Sequence, residues 1–132
     1  MRAFVDTNVL VRHLTGDPPA QARKAGALLG SEAELILVDL VVAELVYVLE
    51  SYYEHPRHRI AEAVRSLMAF PSIAVADHDL ILRGLELYEH DRLDFAEAYL
   101  AAAAELSGVG RVASFDRSLN RVETIERIDT AP

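Results

Sequence analysis

Two patterns of apolar and polar residues alternate along the chain. Short apolar runs predict buried strands, and they lie at residues 2–6, 34–39, 72–77, 110–115 and 122–127. Longer segments repeat apolar residues every three or four positions, which predicts helices, and they lie at residues 7–15, 20–30, 40–55, 57–70, 78–91 and 95–108. Glycines and prolines separate several of these segments, as expected where helices end.

Strands that alternate with helices predict a parallel sheet that is covered on both faces. The strand segments are continuous apolar runs, which is typical of strands buried on both sides. No linker, repeat or low-complexity segment interrupts the pattern. We therefore predict an α/β fold, a three-layer α/β/α sandwich with a central parallel sheet of about five strands, and one domain over residues 1–132. In open sheets of this kind, ligands bind beyond the carboxyl ends of the strands.

Acidic residues follow four of the predicted strands. Asp6, Asp39, Asp77 and Asp116 each end a strand and precede a helix. An aspartate in this position commonly caps the helix. Capping is a sufficient explanation for Asp39 and Asp77, whereas Asp6 and Asp116 remain candidates for either a cap or a metal ligand.

Glu44 lies in a strongly apolar helical segment. Its neighbours three and four positions away are Leu40, Val41, Tyr47 and Val48, all of them apolar. We expect such a helix to be buried on most sides. A buried carboxylate is costly unless it is paired or bound to a metal. The alternatives are a metal ligand, an ion pair with an arginine, or a side chain that reaches solvent.

The segment "DFAE" places Asp94 and Glu97 at the start of a helix. The spacing matches a capping box, in which each of the two side chains accepts a hydrogen bond from the backbone amide of the other residue. It also holds two carboxylates close to the positive end of a helix, where they could face a cation. Both interpretations remain open from the spacing alone.

These acids form a set from four elements that can converge at one edge of the sheet. The set is Asp6, Glu44, Asp94, Glu97 and Asp116. Uncompensated carboxylates in one cleft repel one another, and clusters of oxygen ligands suit hard cations such as Mg²⁺ or Mn²⁺. We therefore predict a metal site made by these five residues, suited to phosphoryl chemistry.

Composition narrows the class of protein. The chain has 21 acidic and 13 basic residues, a net charge of -8 and no cysteine. This charge argues against a broad basic surface for nucleic acid, but a bound cation reverses the local field and leaves an enzyme acting on nucleic acid possible. The sequence shows no signal-peptide pattern and no apolar run of the ~20 residues that a membrane span needs. We expect a cytoplasmic protein with no membrane partner.

Four motifs resemble those of a known family, in the same order. They read "FVDTNVLV", "VVAELVYVL", "DFAEAYLAA" and "ASFDRSL". Together they resemble the motifs of PIN-domain ribonucleases, most closely the VapC-type toxins of bacterial toxin–antitoxin pairs, and the resemblance covers essentially the whole chain.

The resemblance implies a parallel sheet with acids at its carboxyl edge and Mg²⁺- or Mn²⁺-dependent cleavage of RNA. It implies that Asp6, Glu44 and Asp116 are ligand acids of the family pattern. Asp94 and Glu97 match the third motif, in which Glu97 stands where the family usually has aspartate. Thr7, Asn8 and Ser114 match the polar positions that steady the acids.

The resemblance also implies partners, namely a homodimer and a small antitoxin protein that fills the acidic cleft. The alternative function is a catalytically weak PIN domain that acts as a protein-binding module. Divalent-dependent cleavage of RNA by the purified protein separates the two.

Overall fold

The computed structural model describes residues 1–131 and contains helices and short strands in alternation. In chain order the elements are β1 Arg2–Phe4, α1 Thr7–Thr15, α2 Pro19–Leu29, β2 Glu34–Ile36, α3 Asp39–Ser51, α4 Arg57–Met68, β3 Ile73–Ala74, α5 His78–His90, α6 Phe95–Ser107, β4 Arg111–Ala113, a 3₁₀ helix Arg117–Arg121, and β5 Glu126–Ile128. They form two compact units, the first spanning Met1–Ala76 and the second beginning at Asp77.

The first unit is built on three parallel strands in the order β1-β2-β3. Ala3 pairs with Leu35, and Leu35 pairs with Ile73. Helix α1 packs against α2 and α3, and α3 packs against α4. The fully buried leucines at positions 10, 35, 45, 49 and 67 come from a strand and three of these helices, so they form the apolar core of the unit.

The second unit pairs α5 with α6 and β4 with β5. The two strands are parallel, with Val112 opposite Arg127. The buried side of α5 presents Ile81, Leu85 and Tyr88, and the buried side of α6 is largely alanine. Small residues let two helices approach closely, so the long apolar side chains of α5 can pack against the backbone of α6.

Local signals explain where most helices begin and end. Asp6 caps α1, and Gly16 ends it in a left-handed conformation with φ 72°. Pro18 precedes α2 and Pro56 precedes α4. At the start of a helix the missing N–H of proline costs no helical hydrogen bond. Helix α3 ends at Ser51, four residues earlier than the sequence pattern predicts. Residues 52 and 53 form a turn instead of continuing the helix.

The predicted α/β fold with helices packed around parallel strands is confirmed. The predicted strand count of about five is also found, hydrogen-bonded as a set of three and a pair. The strands are shorter than predicted, and the expected burial on both faces is wrong: Phe4 in β1 is 73% exposed. None of the helices described over residues 1–131 is both long enough and apolar enough to cross a membrane.

A buried serine connects a helix to the sheet in the first unit. Ser72 is 4% exposed, and its Oγ donates a hydrogen bond of 2.5 Å to the carbonyl oxygen of Leu29 at the end of α2. The backbone carbonyl of Ser72 in turn accepts from the amide of Leu35 in β2. This residue therefore links α2 to the strands through two hydrogen bonds.

We predict that Ser72→Ala lowers the free energy of unfolding by about 1–3 kcal/mol, because it leaves a buried carbonyl without its donor. Ser66→Ala is the matched control, since the exposed Ser66 makes the same kind of bond to the carbonyl of Ala63. The control is expected to change stability by less than about 0.5 kcal/mol. Urea unfolding measures both, and equal losses would contradict the role given to burial.

One ion pair in the second unit combines good geometry with partial burial. Arg83 of α5 donates from Nε and Nη2 to the two carboxylate oxygens of Glu105 in α6, at 3.0 and 3.1 Å. The hydroxyl of Thr124 donates to the same carboxylate at 2.6 Å. The hydrogen bonds from Arg83 and Thr124 lower the pKa of Glu105. Glu105 is therefore ionised in the folded protein even at mildly acidic pH.

We predict that Glu105→Gln destabilises the protein at neutral pH and that the difference from the parent narrows as the pH falls. The reason is that a lowered pKa stabilises the fold above the ordinary value of 4.5, and this stabilisation is lost as the pH falls through the lowered value. Glu86→Gln is the control, because Glu86 contacts Arg83 through one exposed bond. Thermal melts from pH 7 to acid test this, and a difference that grows in acid would contradict it.

Candidate metal-binding and catalytic acids

Asp6 lies one residue beyond the last hydrogen bond of β1 and at the start of α1. The amide of Val5 donates to the carbonyl of Ile36 at 3.0 Å, and the chain then leaves the sheet. A carboxylate oxygen of Asp6 accepts from the amide of Thr7 at 2.9 Å. The side chain is exposed. Asp6 is therefore a helix cap whose second oxygen remains accessible to a ligand.

Thr7 and Asn8 differ in their surroundings although they are adjacent. Asn8 is exposed, whereas Thr7 is 2% exposed. Within residues 1–131 the Oγ1 of Thr7 has no hydrogen-bond partner. A buried hydroxyl without a partner is unusual in a native fold.

Glu44 is on the exposed side of α3, so the expectation that it is buried is wrong. Leu40 and Tyr47 lie on the same side of the helix and are 77% and 64% exposed. Two of the four apolar neighbours that suggested burial are therefore themselves exposed, while Val41 and Val48 are partly buried. Glu44 makes no hydrogen bond or ion pair with any other residue of the described chain. An accessible, unpaired carboxylate remains compatible with a ligand role.

The capping predictions for the other two strand-end aspartates have different outcomes. Asp77 caps α5, and its carboxylate accepts from the amide of Leu80 at 3.1 Å. Asp39 is instead the first residue of α3, and Val38 occupies the cap position without a side-chain bond. The prediction is confirmed for Asp77 and wrong for Asp39, whose negative charge near the N-terminus nevertheless favours the helix.

The capping box predicted as one alternative for "DFAE" is absent. Asp94 occupies the cap position of α6, but its side chain makes no capping hydrogen bond. Glu97 is half-buried, and within residues 1–131 it makes no hydrogen bond or ion pair. A half-buried carboxylate without a partner is costly. The local structure thus leaves Glu97 available for a ligand that brings positive charge.

Asp116 follows β4 and caps the 3₁₀ helix. The amide of Ser114 donates to the carbonyl of Ile128, which is the last bond between β4 and β5. Asp116 accepts from the amide of Ser118 at 2.9 Å, while its own amide donates to the Oγ of Ser114 at 3.0 Å. Hydrogen bonds from Ser118, with smaller contributions from nearby arginines, lower the pKa of Asp116. The side chain is exposed and anionic at neutral pH.

Arg127 is a residue of this region that the sequence patterns did not single out. Its side chain is 12% exposed. Nη1 donates to the carbonyl of Ser114 and to Asp129, and Nε donates to the side chain of Asn120, all at 3.0 Å. It therefore holds both ends of the loop that carries Asp116. The sequence signal that could have identified it is an arginine within the apolar segment that predicts the last strand.

The donor set suits a hard divalent cation in its chemistry. All five candidate ligands are carboxylates, the kind of oxygen ligand that Mg²⁺ and Mn²⁺ prefer. Within residues 1–131, no three histidine or acidic side chains lie close enough together to hold a metal ion by themselves. Mg²⁺ is commonly bound by one or two carboxylates together with water and substrate phosphates. The acids are therefore suited to such a cation when water molecules or substrate phosphates supply its remaining ligands.

Comparison with known proteins identifies the family. The model of the PIN domain matches residues 3–125, so the chain belongs to the PIN domain family. PIN domains are generally nucleases. A crystal structure of VapBC2 from Rickettsia felis, bound to a DNA fragment from their promoter, aligns over 97% of this chain and 98% of that chain, with 16% identity and a TM-score of 0.39. No curated protein matches the chain.

We predict that Arg127→Ala lowers the free energy of unfolding by about 1.5–3 kcal/mol, because hydrogen bonds to a charged group of this kind are lost together. Lysine should not restore the stability, since one ammonium cannot reproduce the planar fork of the guanidinium. Arg117→Ala is the matched control, because the exposed Arg117 makes no such contacts within the described residues. Urea unfolding measures the three variants, and a neutral Arg127→Ala would show that the loop holds itself.

Proposed function

We propose that this protein is a divalent-metal-dependent endoribonuclease, the VapC-type toxin of a toxin–antitoxin pair. The observation that carries the proposal is the PIN domain match over residues 3–125, since PIN domains are generally nucleases. The order of the four sequence motifs supports the narrower assignment. The family match also supports one functional domain over residues 1–132.

Five acids are proposed as the catalytic and metal-binding residues. Asp6 and Glu44 belong to the first unit, and Asp94, Glu97 and Asp116 belong to the second. The exposure of all but the half-buried Glu97 supports this role, because a substrate must reach the ligands. The absence of any partner for Glu44 and Glu97 among the described residues supports it further.

The proposed chemistry is hydrolysis of an RNA phosphodiester. A bound Mg²⁺ or Mn²⁺ supplies a water of lowered pKa and stabilises charge on the phosphate. The chain contributes anionic ligands that are already oriented. The amide of Thr7 holds the carboxylate of Asp6, and the amide of Ser118 holds that of Asp116. Thr7, Asn8 and Ser114 are the polar residues proposed to keep these acids in place.

The proposed partners are a second copy of the chain and a small antitoxin protein. The exposed Leu40 and Tyr47, on either side of Glu44, support a protein partner, because exposed apolar side chains beside a functional residue are commonly covered in a complex. A toxin that cleaves cellular RNA acts where that RNA is, and we therefore propose a cytoplasmic location.

The second candidate function, a protein-binding module without cleavage, follows from one departure in the third motif. Glu97 stands where the family usually has aspartate, and its longer side chain changes the reach of the carboxylate. Purified protein that binds no Mn²⁺ and cleaves no RNA would favour this second function.

We predict that Asp6→Asn keeps the fold and abolishes RNA cleavage. Asparagine caps a helix about as well as aspartate, so the bond to Thr7 persists and only a helix-dipole contribution of about 0.3–1 kcal/mol is lost. The charge that would hold the cation is removed, so stabilisation by Mn²⁺ in thermal melts should also shrink.

Asp77→Asn is the matched control, because it makes the same change at the cap of another helix. The control should cleave RNA at the rate of the parent. If Asp6→Asn also cleaves at that rate, Asp6 serves only as a cap and the proposed site is wrong.

A further inference from the structure

A groove lies between α1 and α2, entirely within the first unit. Its volume is about 220 Å³. Val9, Ala25 and Leu28 form an apolar floor, and Arg12 and Lys24 lie among the polar residues that line it. The surface of the groove is almost entirely apolar, so Arg12 and Lys24 line it mainly with their hydrocarbon chains. An apolar depression accompanied by two cationic side chains suits a ligand with an anionic group and a flat apolar part.

The two cations of this groove have no acidic partner within residues 1–131. The Nε of Arg12 donates to the side-chain oxygen of Gln21 at 2.9 Å, which orients the guanidinium without neutralising it. Lys24 is exposed and makes no hydrogen bond or ion pair in that part of the chain. By contrast, Arg83 and Arg127 are both paired with carboxylates. In a chain of net charge -8, two unpaired cations in one groove form a local positive site.

The groove begins next to a proposed catalytic acid. Asn8 lines it and lies two residues after Asp6, in the first turn of α1. Arg12 lies four residues after Asn8 and therefore on the same side of the helix. At 1.5 Å per residue, Arg12 is about 9 Å along the helix axis from Asp6. This separation is on the scale of one or two nucleotides.

We propose that the groove between α1 and α2 binds a backbone phosphate of single-stranded RNA, next to the bond that is cleaved. The proposal rests on the function proposed above and identifies part of its substrate-binding surface. Arg12 offers paired N–H donors to phosphate oxygens, and Lys24 offers a mobile point charge. The apolar floor contacts the sugar or base of the same nucleotide.

An acidic protein segment is the other ligand with suitable charge. The position beside Asp6 argues for the RNA, since an RNA whose phosphate reaches Asp6 must have neighbouring phosphates within reach of the groove.

The test measures how RNA binding depends on salt concentration. A fluorescent single-stranded RNA of mixed sequence is titrated in EDTA, so that binding is measured without cleavage. The variants are Arg12→Gln, Lys24→Gln and the double variant. Arg23→Gln is the matched control, because Arg23 is exposed, adjacent to Lys24 and outside the groove lining. Arg12→Lys keeps the charge.

The slope of log K against log salt concentration is negative, and we expect each glutamine variant to reduce its magnitude by about 0.7 and the double variant to reduce it by about 1.4. Arg23→Gln and Arg12→Lys should keep the parent slope. In Mn²⁺, the double variant should cleave with a raised KM and an unchanged kcat, because the groove binds substrate and takes no part in the chemistry.

Four results would overturn the proposal, and the first three concern RNA binding. The parent binds no RNA, the double variant keeps the parent slope, or Arg23→Gln reduces the magnitude of the slope as much as Lys24→Gln. Binding of an oligoglutamate peptide that the double variant loses, with an unchanged RNA slope, also overturns it and assigns the groove to an acidic protein segment. A slope of reduced magnitude in a protein that never cleaves RNA supports the groove and contradicts the proposed function alone.

Discussion

The positions of the acids depend on where the parallel strands stop pairing. In the first unit the last bond of β1 runs from the amide of Val5 to the carbonyl of Ile36, and Asp6 is the next residue. In the second unit the last bond of β4 runs from the amide of Ser114 to the carbonyl of Ile128, and Asp116 follows two residues later. The register of each parallel pair therefore decides which side chains project beyond the carboxyl ends of the strands.

Helix capping and ligand binding make compatible demands on these acids. A cap needs one carboxylate oxygen for a backbone amide, which leaves the second oxygen for another partner. Asp6 and Asp116 each accept one amide bond while their side chains remain exposed. The amide bonds also restrict the side chains before any ligand arrives, which lowers the entropic cost of binding. Asp77 also caps a helix, through the amide of Leu80, and has no proposed function, so a cap alone does not indicate a site.

Some charged side chains of this protein are paired within the fold, and others have no partner of opposite charge. Arg83 and Arg127 connect separate elements through several hydrogen bonds each, so their charges are neutralised locally. Arg12 and Lys24 have no acidic partner in the described chain. Glu44 and Glu97 are acidic side chains that likewise have no partner in the described chain. Charged groups without a partner in the fold are available to ligands, which connects Glu44 and Glu97 to the proposed phosphate groove.

The α/β order, the bounds of α1 and the family can all be predicted from the sequence alone. Residues 7–15 were predicted as a helix and are α1, because Asp6 and Gly16 act on the backbone within one turn. Only the tertiary structure decided the exposure of Glu44, the absence of the capping box at Asp94 and Glu97, and the anchoring of the Asp116 loop by Arg127. Each of these depends on contacts made, or not made, in the folded chain. Local signals act between neighbours in the sequence, whereas burial and pairing are set by residues that meet only when the chain has folded.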